Sequence, residues 1–160
     1  MRDDRVEWPQ VDVCCVWIPQ LPLRVAVLRR PDWDGLPLVL GDGPNGRVVK
    51  LASPEAERAG ITPGLPLREV LALCRDTVIV EPDQAQVDTV MDGVVAKLQR
   101  VSPLVEQQED RVYLGLRGLE ALYGHNLRQL ERAVRSVVPP LLTPRLGVAA
   151  GKFAAGVAAS

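Results

Sequence analysis

The chain has few of the residues that build metal centres and disulfide frameworks. It holds three cysteines, none in a Cys-x-x-Cys pair, and a single histidine among 160 residues. A structural zinc site needs about four nitrogen or sulfur ligands, so we expect no metal site of that kind. Cys14 and Cys15 lie within an apolar run, which is typical of inert buried thiols in a reducing cytosol.

A strong charge of one sign and a long apolar run are also missing. The formal net charge is −1, so no overall basic field attracts nucleic acid. No apolar run approaches the roughly 20 residues of a bilayer span, and the first residues lack the apolar segment of a secretory signal. We therefore expect a cytoplasmic chain with no membrane partner and weak DNA binding at most.

What the chain does have is the composition of one folded domain. Hydrophobic residues make up 47% and charged residues 24%, which excludes a disordered, collagenous or coiled-coil chain. A chain of this length buries about 70% of the surface that its unfolded form exposes. The sequence therefore supports a real hydrophobic core.

Hydrophobic periodicity predicts an α+β fold. The predicted order is strand, helix, hairpin, two short helices, strand, long helix, hairpin, helix, strand and helix. Without residues 36–74, the rest resembles a ferredoxin-like split βαββαβ sheet with helices on one face. We predict a tail over residues 1–10, a sheet domain from residues 11–35 and 75–160, and a small inserted subdomain over residues 36–74.

Local signals support three of these elements. The sequence between 41 and 47 has the turn chemistry of a hairpin. Ser53 is a candidate N-cap with Pro54 at the first helical position. Asp83 precedes the longest helix, whose apolar residues recur with the spacing of one buried face.

Four segments resemble, in order, the Y-family DNA polymerases in their UmuC-type palm and fingers region. Leu38-Val-Leu40, after Gly35-x-Pro37, is similar to "GKPVVV", and residues 52–66 follow "YEAR…GV..GMP". Residues 102–114 are similar to "SP.VE..SIDEAYLD", and residues 146–160 to "GIA.NKFLAKLAS". The resemblance implies a palm with inserted fingers, and that the family's thumb and little finger are absent from this chain.

The resemblance also implies where metal-binding carboxylates should stand. Nucleotidyl transfer in this family needs two metal ions held by carboxylates. The first strand's "DxD" pair falls on Trp17 and Pro19, neither of which can bind a metal. Of the "DE" pair, Asp110 is retained and Arg111 replaces the glutamate. The trailing aspartate is Gly115. We expect Arg111 to pair with Asp110 or to lie in a solvated turn.

The positions that hold the incoming nucleotide in the family are altered too. The fingers' tyrosine and arginine fall on Pro54 and Glu57, and an anion in place of a guanidinium reverses the electrostatics that a triphosphate meets. Lys152 matches the family's first lysine, whereas the second is Gly156. We therefore expect no catalytic residues, no nucleotide-binding residues and no metal.

Three cations are candidates for DNA contact: Lys152, Arg47 and Lys50. A lysine near a helix start is more often solvated, and long cations on a hairpin commonly protect its edge. Asp12 is a poor substitute for the missing carboxylates. Five positions before Trp17, it points to the opposite face at the far end of the strand.

Two further segments indicate a branch of the family. Val16-Trp-Ile-Pro19 resembles the "LWLP" of ImuB-type proteins, and residues 116–124 resemble their "TG..xLFGG" run. The resemblance implies a non-catalytic adaptor in DNA repair and translesion synthesis. Its expected partners are an error-prone polymerase, a RecA-like protein and the sliding clamp, and it needs no cofactor.

Two alternatives remain open. An active DNA-directed nucleotidyltransferase would use Mg²⁺ with Asp110 and an unrecognised carboxylate. An α+β protein-interaction domain would have no role on DNA.

Overall fold

The computed structural model describes residues 11–43, 46–124 and 126–160. The predicted tail over residues 1–10 lies outside these ranges. The chain divides into two compact units, one of residues up to 19 together with 91–160, the other of residues 20–90. Each unit is described by itself.

The strands and helices follow the predicted order, with boundaries shifted by a few residues. The strands are β1 (Val13–Trp17), β2 (Leu38–Gly41), β3 (Val49–Ala52), β4 (Val78–Val80), β5 (Val105–Gln108), β6 (Arg111–Gly115) and β7 (Arg145–Ala149). The helices are α1 (Leu21–Arg29), α2 (Pro54–Arg58), α3 (Leu67–Leu73), α4 (Gln84–Leu98), α5 (Leu127–Val137) and α6 (Lys152–Ala159).

The first unit is built on a four-stranded sheet of order β5-β6-β1-β7. Every neighbouring pair is antiparallel. Because α4 precedes β5 and α5 joins β6 to β7, the strands and helices form two interleaved β-α-β units, which is the ferredoxin-like arrangement. The predicted α+β fold with a split βαββαβ sheet is therefore confirmed.

Both faces of this sheet are covered around β1. Cys15 and Tyr113 pack against Ala155 and Ala159 of α6. Successive residues of a strand point to opposite faces, so Cys14 points away from α6, and it is also buried. Burial raises the pKa of the Cys14 thiol to about 12. The helix after the last strand thus adds a layer on the face opposite to Cys14.

A glycine on β7 allows α6 to approach the sheet closely. A Cβ atom at Gly147 would lie 2.3 Å from both Ala155 O and Ala159 N. No side chain fits between the strand and the helix at that distance. The alanines on α6 complete a contact made of backbone and small side chains.

The second unit has a three-stranded sheet of order β3-β2-β4. The predicted hairpin is confirmed, since β2 and β3 pair in antiparallel register. The predicted boundaries put β4 with the larger domain, but β4 pairs in parallel with β2, with Val78 opposite Leu38. This pairing satisfies the backbone of β4 within the smaller sheet, and residues 20–35, which contain α1, also belong to this unit.

Both predicted helix caps are present. The Ser53 hydroxyl accepts a hydrogen bond from Ala56 N at 3.3 Å at the start of α2. The Asp83 carboxylate accepts one from Gln86 N at 3.0 Å at the start of α4. Side-chain caps of this kind satisfy backbone donors that a helix cannot pair internally. Among the helices in the described ranges, none is long and apolar enough to cross a bilayer.

The substitution Gly147→Ala tests the contact between β7 and α6. We expect it to lower the free energy of unfolding by roughly 1–3 kcal/mol, because the added methyl forces α6 away from the sheet. Urea denaturation measures the change.

Gly93→Ala is the matched control. Gly93 is exposed within α4 and nothing lies within 4 Å of the Cβ it would gain. Because alanine favours a helix over glycine, this change should be neutral or stabilising by up to about 1 kcal/mol. Equal effects of the two substitutions would contradict the close contact.

Candidate active-site region

Four of the five positions where the resemblance expects carboxylates lie at one end of the first sheet. Trp17 is the last residue of β1 and lies directly opposite Arg111, the first residue of β6. Asp110 precedes β6, and its carbonyl accepts a hydrogen bond from Ile18 N at 2.9 Å. Pro19 follows just after β1 and is half-buried. The strand pairing therefore brings an indole, a guanidinium and one carboxylate together.

Two guanidinium groups lie over the ring of Trp17. The Arg111 Cζ atom is 4.7 Å from the ring centroid, and that of Arg145 is 5.3 Å from it. Arg111 is opposite Trp17 on β6, and Arg145 is opposite Trp17 on β7. Cation–π contacts at such distances are favourable, so the indole joins the two neighbouring strands.

Both arginines also donate hydrogen bonds to α6 or to Ser160, which follows it. Arg111 Nη1 donates to Gly156 O at 2.8 Å and Nη2 donates to Ser160 Oγ at 3.3 Å. Arg145 Nη1 donates to Ser160 O at 3.0 Å. These hydrogen bonds tie the sheet end to α6 and to the residue that follows it.

We predicted that Arg111 pairs with Asp110 or lies in a solvated turn, and both alternatives are wrong, since Arg111 is the first residue of β6 and bonds α6. The Asp110 carboxylate accepts a hydrogen bond from Trp17 Nε1 at 2.8 Å, whereas the Arg111 guanidinium extends to α6. These neighbours diverge because Asp110 lies in the turn before β6 and Arg111 follows the pleat of the strand. The indole takes the place of the expected cation beside Asp110.

The trailing position of the acidic motif has no room for a side chain. A Cβ atom at Gly115 would lie 2.9 Å from Leu104 Cβ. The Gly115 carbonyl also accepts a hydrogen bond from Ser102 Oγ at 2.6 Å. The packing of Leu104 against Gly115 therefore leaves no space for a carboxylate side chain at this position.

The residues at this sheet end do not fit a magnesium site. Mg²⁺ is held by oxygen ligands, above all carboxylates, and Asp110 is the one carboxylate among the positions aligned with the family's acidic residues. Within the described part of the chain, no cluster of three or more His, Cys, Asp or Glu side chains could hold a metal ion. The positive charge of the Arg111 guanidinium adds Coulombic repulsion toward a cation nearby.

Asp12 lies at the other end of β1, as predicted. Its backbone N–H donates to Ala149 O at 3.0 Å, and its carbonyl accepts from Leu116 N at 2.8 Å. The carboxylate forms an ion pair of 2.8 Å with Arg117, and that hydrogen bond lowers the pKa of Asp12. Asp12 is already paired and lies away from Trp17.

The two altered nucleotide positions lie on α2 in the second unit. Pro54 is the first residue of the helix, next to the Ser53 cap, and is exposed. Glu57 is exposed one turn further on. Proline suits this position because its missing N–H is not needed in a first turn. Neither residue offers a donor to a phosphate oxygen.

The three cations proposed for DNA contact differ in their surroundings. Lys152 forms a salt bridge with Glu106, and this hydrogen bond lowers the pKa of Glu106. Arg47 and Lys50, on or beside the fingers hairpin, are exposed and make no ion pair with the described residues. The hairpin cations are therefore available to a ligand, whereas Lys152 is already paired with Glu106.

Sequence reasoning missed two residues of this site. Arg145 reaches Trp17 only because β7 pairs with β1, and strand order is not visible in sequence patterning. Gly156 reaches Arg111 because α6 folds back over the sheet. For Gly156, the one signal in the sequence was that a glycine replaces the family's second lysine.

The chain belongs to the impB/mucB/samB family, because the sequence model of that family matches residues 16–160. This is the Y-family of DNA polymerases, and the predicted family is confirmed. Among curated relatives, it is 30% identical over 131 residues to DNA polymerase IV of Caulobacter vibrioides, covering 80% of this chain and 32% of that protein. It is 33% identical over 133 residues to DNA polymerase IV of Alkalilimnicola ehrlichii, covering 81% and 37%.

Solved structures show the same fold. A post-insertion binary complex of Dbh DNA polymerase superposes with a TM-score of 0.70 at 19% identity, over 91% of this chain and 44% of that one. A DinB protein of Sulfolobus solfataricus gives 0.68 at 20% identity, over 91% and 44%. The chain spans about a third of the length of the curated relatives that it matches.

The substitution Trp17→Phe tests the indole contact with Asp110. It removes the N–H donor and keeps a ring for the two guanidiniums, so we expect a loss of about 1 kcal/mol in the free energy of unfolding. In an Asp110→Ala background the same change should cost less, giving a coupling energy of about 1 kcal/mol in urea denaturation. Additive effects of the two substitutions would show that the hydrogen bond contributes nothing.

Proposed function

We propose that this chain is a catalytically inactive, ImuB-like member of the Y-family that acts as an adaptor in DNA repair and translesion synthesis. The observation that carries the proposal is the contact between Trp17 and Arg111 at the positions aligned with two acidic residues of the family. A two-metal mechanism needs negative charge at that point. Here the strand ends supply a neutral ring and a cation.

The second unit supports the same conclusion. A triphosphate is bound by arginine forks and other N–H or O–H donors. Pro54 and Glu57 replace the two residues that would supply such donors, and Glu57 repels phosphate. Because the losses affect metal ligands and nucleotide ligands together, both parts of a polymerase site are altered in this chain.

The proposed partners are proteins of a translesion complex: an error-prone polymerase, a RecA-like protein and the sliding clamp. A net charge of −1 favours protein partners over a strong grip on phosphate, since affinity for DNA rises with the number of phosphates neutralised. Weak DNA contact would come from Arg47 and Lys50. We place the chain in the cytoplasm, and the adaptor needs no cofactor.

A second candidate is an active DNA-directed nucleotidyltransferase that uses Mg²⁺. The names of the curated relatives, DNA polymerase IV, favour it. It requires Asp110 to act with a carboxylate from elsewhere in the chain. Asp12 is paired with Arg117, so this candidate needs a different residue.

Primer extension distinguishes the two candidates. Because the chain spans about a third of its relatives, residues 16–160 should replace the matching segment of the Caulobacter vibrioides DNA polymerase IV. We expect the chimera to lose templated incorporation by at least about a thousand-fold with Mg²⁺ or Mn²⁺, since a metal clamp contributes several kcal/mol. Incorporation that Asp110→Ala abolishes would contradict the inactive assignment, and retained binding to primed DNA shows that the chimera folds.

Salt-dependent binding to primed DNA tests the hairpin cations in the chain itself. The double variant Arg47→Ala with Lys50→Ala should reduce the slope of log affinity against log salt by up to about 2, one for each lost phosphate contact. Arg58→Ala is the matched control, because Arg58 is exposed in the same unit and already paired with Glu55. An unchanged slope in the double variant would show that the hairpin does not contact DNA.

A further inference from the structure

Arg111 stands where the positions aligned with the family's carboxylates converge. Its guanidinium lies over Trp17, whose indole N–H is bonded to the one retained carboxylate, Asp110. We infer that Arg111 is the residue that excludes divalent cations from this sheet end, and that its positive charge replaces a bound metal in holding the site together. The inference deepens the proposed inactive function and rests on it.

The oxygens around Arg111 are those that a cation stabilises. Gly156 O lies 2.8 Å from Nη1, and Ser160 Oγ lies 3.3 Å from Nη2. Gly156 belongs to α6, and Ser160 follows it. Ser160 Oγ itself donates to Gly156 O at 2.9 Å. One guanidinium therefore donates to two oxygens that also bond each other.

A glycine lies beside the guanidinium on α6. A Cβ atom at Gly156 would lie 3.2 Å from Arg111 Nη1 and 3.2 Å from Tyr113 Oη. The resemblance aligns this glycine with a lysine and aligns Arg111 with a glutamate. Compared with the family pattern, this chain has a positive charge on the strand, at Arg111, and none on the helix, at Gly156. The two substitutions are compatible because the guanidinium lies next to the glycine.

A consequence is that missing carboxylates alone do not explain the lack of a metal site. A carboxylate introduced at position 17 would lie opposite Arg111 across the paired strands. An aspartate and an arginine on directly opposite positions of paired strands attract each other. The new carboxylate would be neutralised by Arg111, and a divalent cation would still be repelled.

The test compares Mn²⁺ binding by the 160-residue chain and three variants, followed by electron paramagnetic resonance of free Mn²⁺. The variants are Trp17→Asp, Arg111→Glu and the double variant. We expect no binding by the unaltered chain or by Trp17→Asp. The double variant, which would have three neighbouring carboxylates, should bind at least about ten-fold more tightly than either single variant, because only it has both ligands and no guanidinium.

The possible outcomes distinguish the inactive function from the role of Arg111. Mn²⁺ binding by the unaltered chain, lost in Asp110→Ala, would overturn the inactive function itself. Binding by Trp17→Asp equal to that of the double variant would overturn the role of Arg111 alone. A double variant that keeps the native circular dichroism spectrum and binds no better than the single variants would overturn it too.

A second measurement needs no new carboxylate. Arg111→Gln removes the charge, so the melting temperature should fall by roughly 2–4 °C or more, with no recovery in Mg²⁺. Arg135→Gln is the matched control, since Arg135 is exposed and paired only with Glu131 on the same helix, and its melting temperature should stay within about 1 °C. Equal melting temperatures for the Arg111→Gln variant and the unaltered chain would overturn the inference even if the double variant fails to fold.

Discussion

The contact of Trp17 with Arg111, Arg145 and Asp110 is the interaction on which the rest of this sheet end depends. One indole bonds a carboxylate through its N–H and carries a guanidinium from each neighbouring strand on its ring. The same guanidiniums reach the end of α6. The strand ends, the turn before β6 and α6 are therefore joined by the contacts of one indole and two guanidiniums.

The packing of α6 makes that arrangement possible. Gly147 lets the helix lie against β7 with no side chain between them, and Gly156 leaves space for the Arg111 guanidinium. Gly147 is needed because backbone atoms of α6 approach it, whereas a Cβ atom at Gly156 would displace the neighbouring side chains by only a few tenths of an ångström. The chain has the Y-family fold, whereas its function depends on the site and not on the fold.

Most of the fold could be predicted from local patterns. Alternating and helical apolar spacing located the strands and helices, and the Ser53 and Asp83 caps were recognised from their neighbours. The pairing of β4 with β2 was not predictable in this way, because a three-residue strand fits either sheet until its partners are known. The partners of Asp110 and Arg111 were also missed, since adjacent residues suggested an ion pair that the turn before β6 prevents.

The sequence by itself determined which side chains stand at the positions aligned with the family's acidic residues. The side chains of Trp17, Pro19 and Arg111 are not carboxylates, because an indole, a pyrrolidine ring and a guanidinium carry no anionic oxygen. Only the tertiary structure decided which groups surround them. The tertiary structure pairs β1 with both β6 and β7 and packs α6 against this sheet. It therefore brings Arg145 to the indole and Gly156 to Arg111 from positions far along the chain. Contacts between such distant residues depend on strand order, which no local pattern of residues encodes.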